Sequence, residues 1–314
     1  TAMVFPDRIA QKRGNGYRLS NGSGVSVNEN FSLESKNLVV IKQGGQGTNA
    51  KIFQAIEITQ EQLEFYFSDQ IVEIENIYWD KKSQSVKAEY LTKLRELVLS
   101  SQMMTNLSHS QLLTGLLQGI QNDGLDKLGW TIELRQWQAR VIALHELEKY
   151  KKIFPDVSDD NLLNTLDDWL APYLNGKNKL SQINHEVLSQ ALKNILNWEQ
   201  QQSLDQLMPI TIKVASGSKI KLDYLQGDKP VLAVKLQEMF GQKENLAVAS
   251  GLIPVIVHLL SPARRPLQIT EDLAGFWLSS YQLVKKDMKG RYPKHPWPDD
   301  PLTAQATRFT KKRS

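Results

Sequence analysis

The sequence predicts an α+β fold: a small β-rich barrel over about residues 1–70, then a larger helical and mixed α/β domain over 71–314 that ends in an extended basic tail. Three observations predict it. Short β-prone runs split by glycine-rich turns fill the opening segment, apolar residues then recur every three or four positions, and four prolines interrupt the last stretch of chain. With 314 residues, 41% hydrophobic and 23% charged, the chain can bury enough apolar surface to offset its ordering entropy, which excludes a disordered protein.

The β-prone runs are residues 17–19, 24–27, 38–41 and 51–58, separated by Asn21-Gly22-Ser23-Gly24 and Gln43-Gly44-Gly45-Gln46-Gly47. Residues 60–67 suit a short helix. Ile71, Glu73, Glu75 and Ile77 then alternate with their neighbours as far as Trp79, and a polar turn over 80–85 leads into a partner run at 86–90 that is expected to pass into helix near Leu91.

In the middle, Leu112, Leu113, Leu116, Leu117 and Ile120 form one helical stripe, and Leu134, Trp137, Val141, Leu144 and Leu147 another. Two more helices are expected, over 159–170 behind a Ser158 cap and over 184–198. The last third is mixed. Residues 209–215 and 219–225 flank Ser216-Gly217-Ser218 as a hairpin, 231–234 is a strand and 253–260 a buried one. Thr270 is expected to cap one helix carrying Leu273, Phe276, Trp277, Val284 and Met288 on a face, with Gly290 as its stop. Pro293, Pro296, Pro298 and Pro301 then force an extended segment.

Much chemistry is excluded. The absence of cysteine removes disulfides, thiolate zinc sites and cysteine nucleophiles, and it agrees with a reducing compartment, so the cytoplasm is the expected location. Residues 245–263 carry no formal charge, but Gly251, Pro254, His258 and Ser261-Pro262 disqualify them as a membrane span. No G-x-x-x-x-G-K-[ST] loop occurs, and Gly45-Gln46-Gly47-Thr48-Asn49-Ala50 precedes a strand where a dinucleotide fingerprint precedes a helix. Ser216-Gly217-Ser218-Lys219 spells S-x-x-K between two strands, where serine and lysine cannot share a proton one helical turn apart. His109, His145, His185, His258 and His295 lack metal-site spacing, and Asp159-Asp160, Asp167-Asp168 and Asp299-Asp300 suit caps better than an acid–base pair. No catalytic or metal-binding residue is expected.

Charge is the remaining signal. Net charge is +4, yet residues 285–314 alone hold nine basic side chains against three acidic ones, a balance of +6 that leaves −2 for the rest. Such asymmetry fits contact with an anionic polymer. Arg8, Lys12, Arg13 and Arg18 cluster at the barrel's entrance; Arg264, Arg265, Lys285, Lys286, Lys289, Arg291 and Lys294 form a second set interleaved with Tyr292 and Trp297. Both sets suit phosphate neutralisation with base stacking. The alternative for Trp297 and its prolines is that they strap the tail to the body.

Two stretches carry a family likeness. Phe5-Pro6-Asp7-Arg8-Ile9-Ala10 followed by Lys12-Arg13-Gly14 resembles the segment that opens the oligonucleotide-binding-fold (OB) region of DEAH-type helicases of the HrpB group. His258-Leu259-Leu260-Ser261-Pro262-Ala263, Arg265-Pro266, Asp272-Leu273-Ala274-Gly275-Phe276-Trp277 and Arg291-Tyr292-Pro293-Lys294-His295-Pro296-Trp297-Pro298 resemble the C-terminal domain of that group. Ser216-Gly217-Ser218, Leu222-Asp223-Tyr224, Val231-Leu232-Ala233-Val234 and Gln237-Glu238 match between them, so the likeness covers essentially the whole chain.

The resemblance implies an OB-like barrel and a parent ATP-dependent RNA helicase whose motor binds ATP and magnesium upstream, leaving no cofactor for this chain. Starting at Thr1-Ala2-Met3, the sequence is expected to be a piece of that longer protein. Its expected role is accessory binding and guidance of single-stranded RNA, with the upstream helicase core as partner. A platform that docks a protein or the motor without touching RNA is the alternative, a stand-alone enzyme the third reading.

Overall fold

The structure, a computed structural model, describes residues 6–27, 35–45 and 50–309. Phe5, the Gln46–Asn49 part of the glycine-rich turn, and the tail cations Lys311, Lys312 and Arg313 lie outside the described residues. The chain forms two compact units, one of Thr1–Gly119 with Asn175–Leu180, the other of Ile120–Leu174 with Ser181–Ser314. The α+β class is the observed one.

In the first unit, β1 (Ile9–Arg13), β2 (Gly16–Leu19), β3 (Gly24–Val27), β4 (Asn37–Gly44) and β5 (Lys51–Glu57) close a barrel in the order β1-β2-β3-β5-β4. Antiparallel pairing of Ile9 with Val39 joins its ends, and β3 runs parallel to β5 with Ser26 opposite Lys51. Side-chain alternation sends Ala10, Tyr17, Leu19, Val25, Leu38, Val40, Ile52 and Ala55 into one core. β1 was not anticipated, because Gln11, Lys12 and Arg13 mask a strand of only five residues.

Helix α1 (Gln60–Tyr66) begins with a capping box between Thr59 and Gln62. Its Leu63, with Phe67, packs on Ile9, Leu94, Leu97 and Leu99. The last three belong to a meander of β6 (Ile71–Asp80), β7 (Ser85–Leu94) and β8 (Leu97–Met103). The helix expected near Leu91 is therefore a strand. Arg95 at φ +54 and Glu96 turn the chain back after Leu94, and β8 supplies the ladder partners that β7 needs. Helix α2 (His109–Asp123) follows, its Gly119 set against the Trp79 ring so closely that a Cβ would stand 2.3 Å from it.

In the second unit, α3 (Ile132–His145) starts on a Thr131 cap and buries Leu134, Trp137, Val141 and Leu144. The helix expected over 159–170 is two pieces, α4 (Asp159–Asn164) and α5 (Leu166–Trp169), because Thr165 leaves helical geometry and its hydroxyl donates to the Asn161 carbonyl. That expected over 184–198 likewise ends early. α6 (His185–Lys193) stops at Asn194, and Asn197 caps a separate α7 (Trp198–Leu207) through a capping box with Gln200.

β9 (Thr211–Lys213), β10 (Lys219–Asp223), β11 (Val231–Lys235), β14 (Ile256–Leu260) and β15 (Pro266–Thr270) form one sheet in the order β15-β14-β11-β10-β9, with β11 and β14 parallel. The buried strand expected over 253–260 is interrupted at Val255: its first two residues form β13 (Ile253–Pro254), which pairs instead with β12 (Ala247–Val248). Asp272, rather than Thr270, caps the next helix, and the single helix expected there is α8 (Leu273–Leu278) followed by α9 (Tyr281–Lys289). Gly290 is not a left-handed stop, since its φ is −68°. The chain leaves α9 through a Tyr292 N–H to Met288 carbonyl bond, and Pro293 prevents further helix.

Candidate nucleic-acid interface

The barrel carries an open groove of about 990 Å³ over β2, β3 and the β1–β2 turn. Sequence alone explains what lines it. Tyr17 and Leu19 point inward, so Arg18 between them points out, and Arg13 pairs with Gly16 across a two-residue turn whose Gly14 sits at φ +59. Asn15, Asn21, Ser23, Ser26 and Gln43 add hydrogen-bonding groups. The lining aromatic, Tyr17, is buried and its hydroxyl donates to the Ser35 carbonyl, so it belongs to the core and offers no face for a base. The groove can hold a hydrogen-bonding anion better than a stack of rings.

The first basic set therefore divides. Arg13 and Arg18 line the groove. Arg8 donates from Nη1 to the Ile41 carbonyl at 3.1 Å and is spent on β4, while Lys12 is exposed on β1. Arg18 lies 3.6 Å from Glu96, and its buried Nε has no hydrogen-bond partner among the described residues. Glu96 had no signal in the sequence, because only the β7–β8 turn brings it there.

The second set divides too. Arg264 and Arg265 are exposed at the β14–β15 turn, where Arg264 takes φ +60. Buried Ser261 fixes that turn: its N–H donates to the Arg265 carbonyl at 2.8 Å and its hydroxyl accepts from the Arg265 N–H at 3.1 Å. Lys286, Lys289, Arg291 and Lys294 are exposed. Lys285 is not; its ammonium donates to the Pro298 carbonyl at 3.0 Å and pairs with Asp299, whose carboxyl is thereby held below the usual range. The Trp297 indole donates to the Tyr292 carbonyl at 3.0 Å and lies 4.4 Å from the buried His295 ring, while the Tyr281 hydroxyl donates to Pro298. Tyr292 is half-buried. The tail after α9 is thus laid down on its own unit as a strap, with Pro301 and Thr307 bonded to Gly241 and Gln237.

A second cleft, about 690 Å³, lies in the other unit among Thr131, Trp137, His185, Lys193 and Asp205. Its buried Arg140 is committed to the Met208 carbonyl and Asp205. Among the described residues no three His, Asp or Glu side chains stand together as a metal site. No helix among them is long and apolar enough to cross a membrane.

Comparison with known proteins gives the likeness of this chain. The HrpB_C family, described as an ATP-dependent helicase C-terminal region, matches residues 169–301. The ATP-dependent RNA helicase HrpB of Escherichia coli strain K12 is 37% identical across the whole chain. The chain is similar to the C-terminal part of the HrpB helicases. A crystal structure of the E. coli DExH-box NTPase HrpB superposes with a TM-score of 0.64 at 36% identity, over 98% of this chain and 38% of that one. A second, of the Escherichia coli DEAH/RHA helicase HrpB, gives 0.56 at 33% identity, over 94% and 37%. The chain spans 39% of the length of the curated HrpB it matches, and the likeness includes both the barrel and the strapped second unit.

Proposed function

We propose that this chain is an accessory, RNA-guiding part of an ATP-driven helicase of the DEAH class, in which the barrel groove holds single-stranded RNA. The observation that carries the reading is the position of that groove. The strand order β1-β2-β3-β5-β4 is that of OB folds, which take oligonucleotides on the β2–β3 face and its flanking loops, and Arg13 and Arg18 stand on that face. ATP and magnesium fit no group of residues here: the sequence lacks a phosphate-cradling lysine loop and the described residues lack a metal cluster, so no hydrolytic step is assigned to them. Both would belong to a helicase core outside the matched span. A reducing cytoplasm is the setting this reading implies.

Fluorescence anisotropy with a labelled single-stranded oligouridylate tests it. Every phosphate left without its cation lowers the steepness of the log affinity against log salt plot by about 0.7, so Arg13→Ala with Arg18→Ala flattens it by about 1.4 and weakens binding, whereas Arg8→Ala leaves the slope unchanged. A salt-independent affinity, or a double variant that binds like the parent, would sink the proposal.

A second reading, that the other unit is a protein-docking platform, draws support from the tail, where Lys285 and Trp297 are committed to the strap. Replacing Lys286, Lys289 and Lys294 with alanine separates the two: RNA affinity falls if that surface meets RNA and stays constant if it does not.

A further inference from the structure

Among the described residues, the meander β6-β7-β8 has one face with nothing on it. Ile74 pairs with Leu91, Lys93 lies between Val72 and Val98, and Glu89 pairs with Met103, so alternation sets Val72, Ile74, Tyr78, Leu91, Val98 and Met103 on the same side. Val72 is 51% and Met103 58% exposed, and Ile74, Tyr78 and Val98 are open as well. Among the described residues β6 is also a ten-residue edge strand with no proline, lysine or bulge, its only charges being the acidic Glu73, Glu75 and Asp80.

The charges on this face already have partners on it or at its edge. Lys87 stands 2.6 Å from Asp80 and holds that carboxyl down to about 2; Glu89 accepts from Asn76 at 3.0 Å and from Ser101; Lys93 lies 3.9 Å from Glu96. A polyanion would find no uncommitted cation among them. An exposed face of apolar side chains interspersed with paired charges fits another folded protein surface.

We propose that this sheet face is the seat of the helicase core that HrpB relatives carry outside the span matched here. The aligned region is 39% of the E. coli polypeptide, so 61% of that relative is unaccounted for by these 314 residues, ample to cover one sheet. A partner joined to the same polypeptide meets the face at high effective concentration, so moderate apolar contact and a free edge suffice to hold it. The inference rests on the family likeness and not on RNA binding by the barrel.

Oxidative footprinting tests it without any variant. Methionine and tyrosine oxidation follow exposure, so Met103 and Tyr78 react readily in the 314-residue chain alone and severalfold more slowly in the full-length polypeptide, where amide exchange along residues 71–79 slows as well. Equal reactivity in the two overturns the proposal. So does protection that rises with the concentration of the isolated chain, which means a second copy covers the face, or protection produced by oligouridylate alone. Loss of RNA binding in the groove variants leaves these footprints unmoved, so the two readings fail separately.

Discussion

Glu96 Oε2 stands 3.6 Å from Nη2 of Arg18, a residue that lines the barrel groove. A phosphate that binds Arg18 competes with that carboxylate for the guanidinium. Glu96→Gln removes the competitor while keeping the shape. Exposed pairs of this kind contribute about 0.2–1 kcal/mol, so affinity for single-stranded RNA is expected to rise by about 1.4- to 5-fold at low salt, measured by anisotropy. An affinity that falls would mean Glu96 supports the groove.

His295 makes the second unit sensitive to acid. Its ring is 2% exposed with both nitrogens lacking a hydrogen-bond partner among the described residues, and burial, assisted by the Lys235 cation, pushes its pKa down to about 4 from 6.5. The unfolded chain binds this proton more readily, so the contribution is fully present above pH 6.5 and is lost as pH falls toward 4. The shift corresponds to about 3 kcal/mol at most. Denaturant midpoints measured across that window should drop in the parent and drop less in His295→Leu.

The strap should show itself in stability before it shows in binding. Trp297→Ala removes a half-buried indole and its bond to Tyr292, a loss of about 2–3 kcal/mol. Lys285→Ala gives up the bond to Pro298, about 1 kcal/mol and about 2–4 °C in Tm, whereas exposed Lys286→Ala stays near the parent. Thermal scans of the three variants give the ranking; equal scans for all of them would contradict the packed tail.

Among the described glycines of the first unit, Gly119 is the one where an added Cβ would meet a neighbour most closely. A Cβ there would enter the Trp79 ring, so Gly119→Ala should cost about 1–3 kcal/mol although alanine is the better helix former. Gly124→Ala is strained for a different reason, its φ of +85, with open space around it. Comparing Gly119→Ala alone with Gly119→Ala plus Trp79→Leu by urea unfolding separates overpacking from backbone strain, because the smaller side chain should recover part of the loss.

Alternation and turn chemistry were enough to read the barrel strands at 17–19, 24–27 and 51–57, the hairpin at 71–80, and the stripes of α2 and α3 from the sequence, since local pattern and final burial agree there. The family likeness was legible in short peptides such as Arg291-Tyr292-Pro293-Lys294-His295-Pro296-Trp297-Pro298. Breaks at Thr165, Asn194, Val255 and Ser279 were not legible. Apolar spacing continues across each of them, and only a cap, a hydroxyl bond or a new ladder partner stops the element.

The candidate site was half legible for the same reason. Composition identified which residues are cationic, and alternation along β2 put Arg18 outside the barrel. Which cations remain available was decided by tertiary contacts: Arg8 is spent on Ile41, Lys285 on the strap, and Arg18 is shadowed by a glutamate 78 positions away in the chain. Sequence determines what each side chain can do; the closing of the barrel and the laying down of the tail determine whom it meets, because charge and hydrogen bonds act over a few ångströms of space and not along the chain.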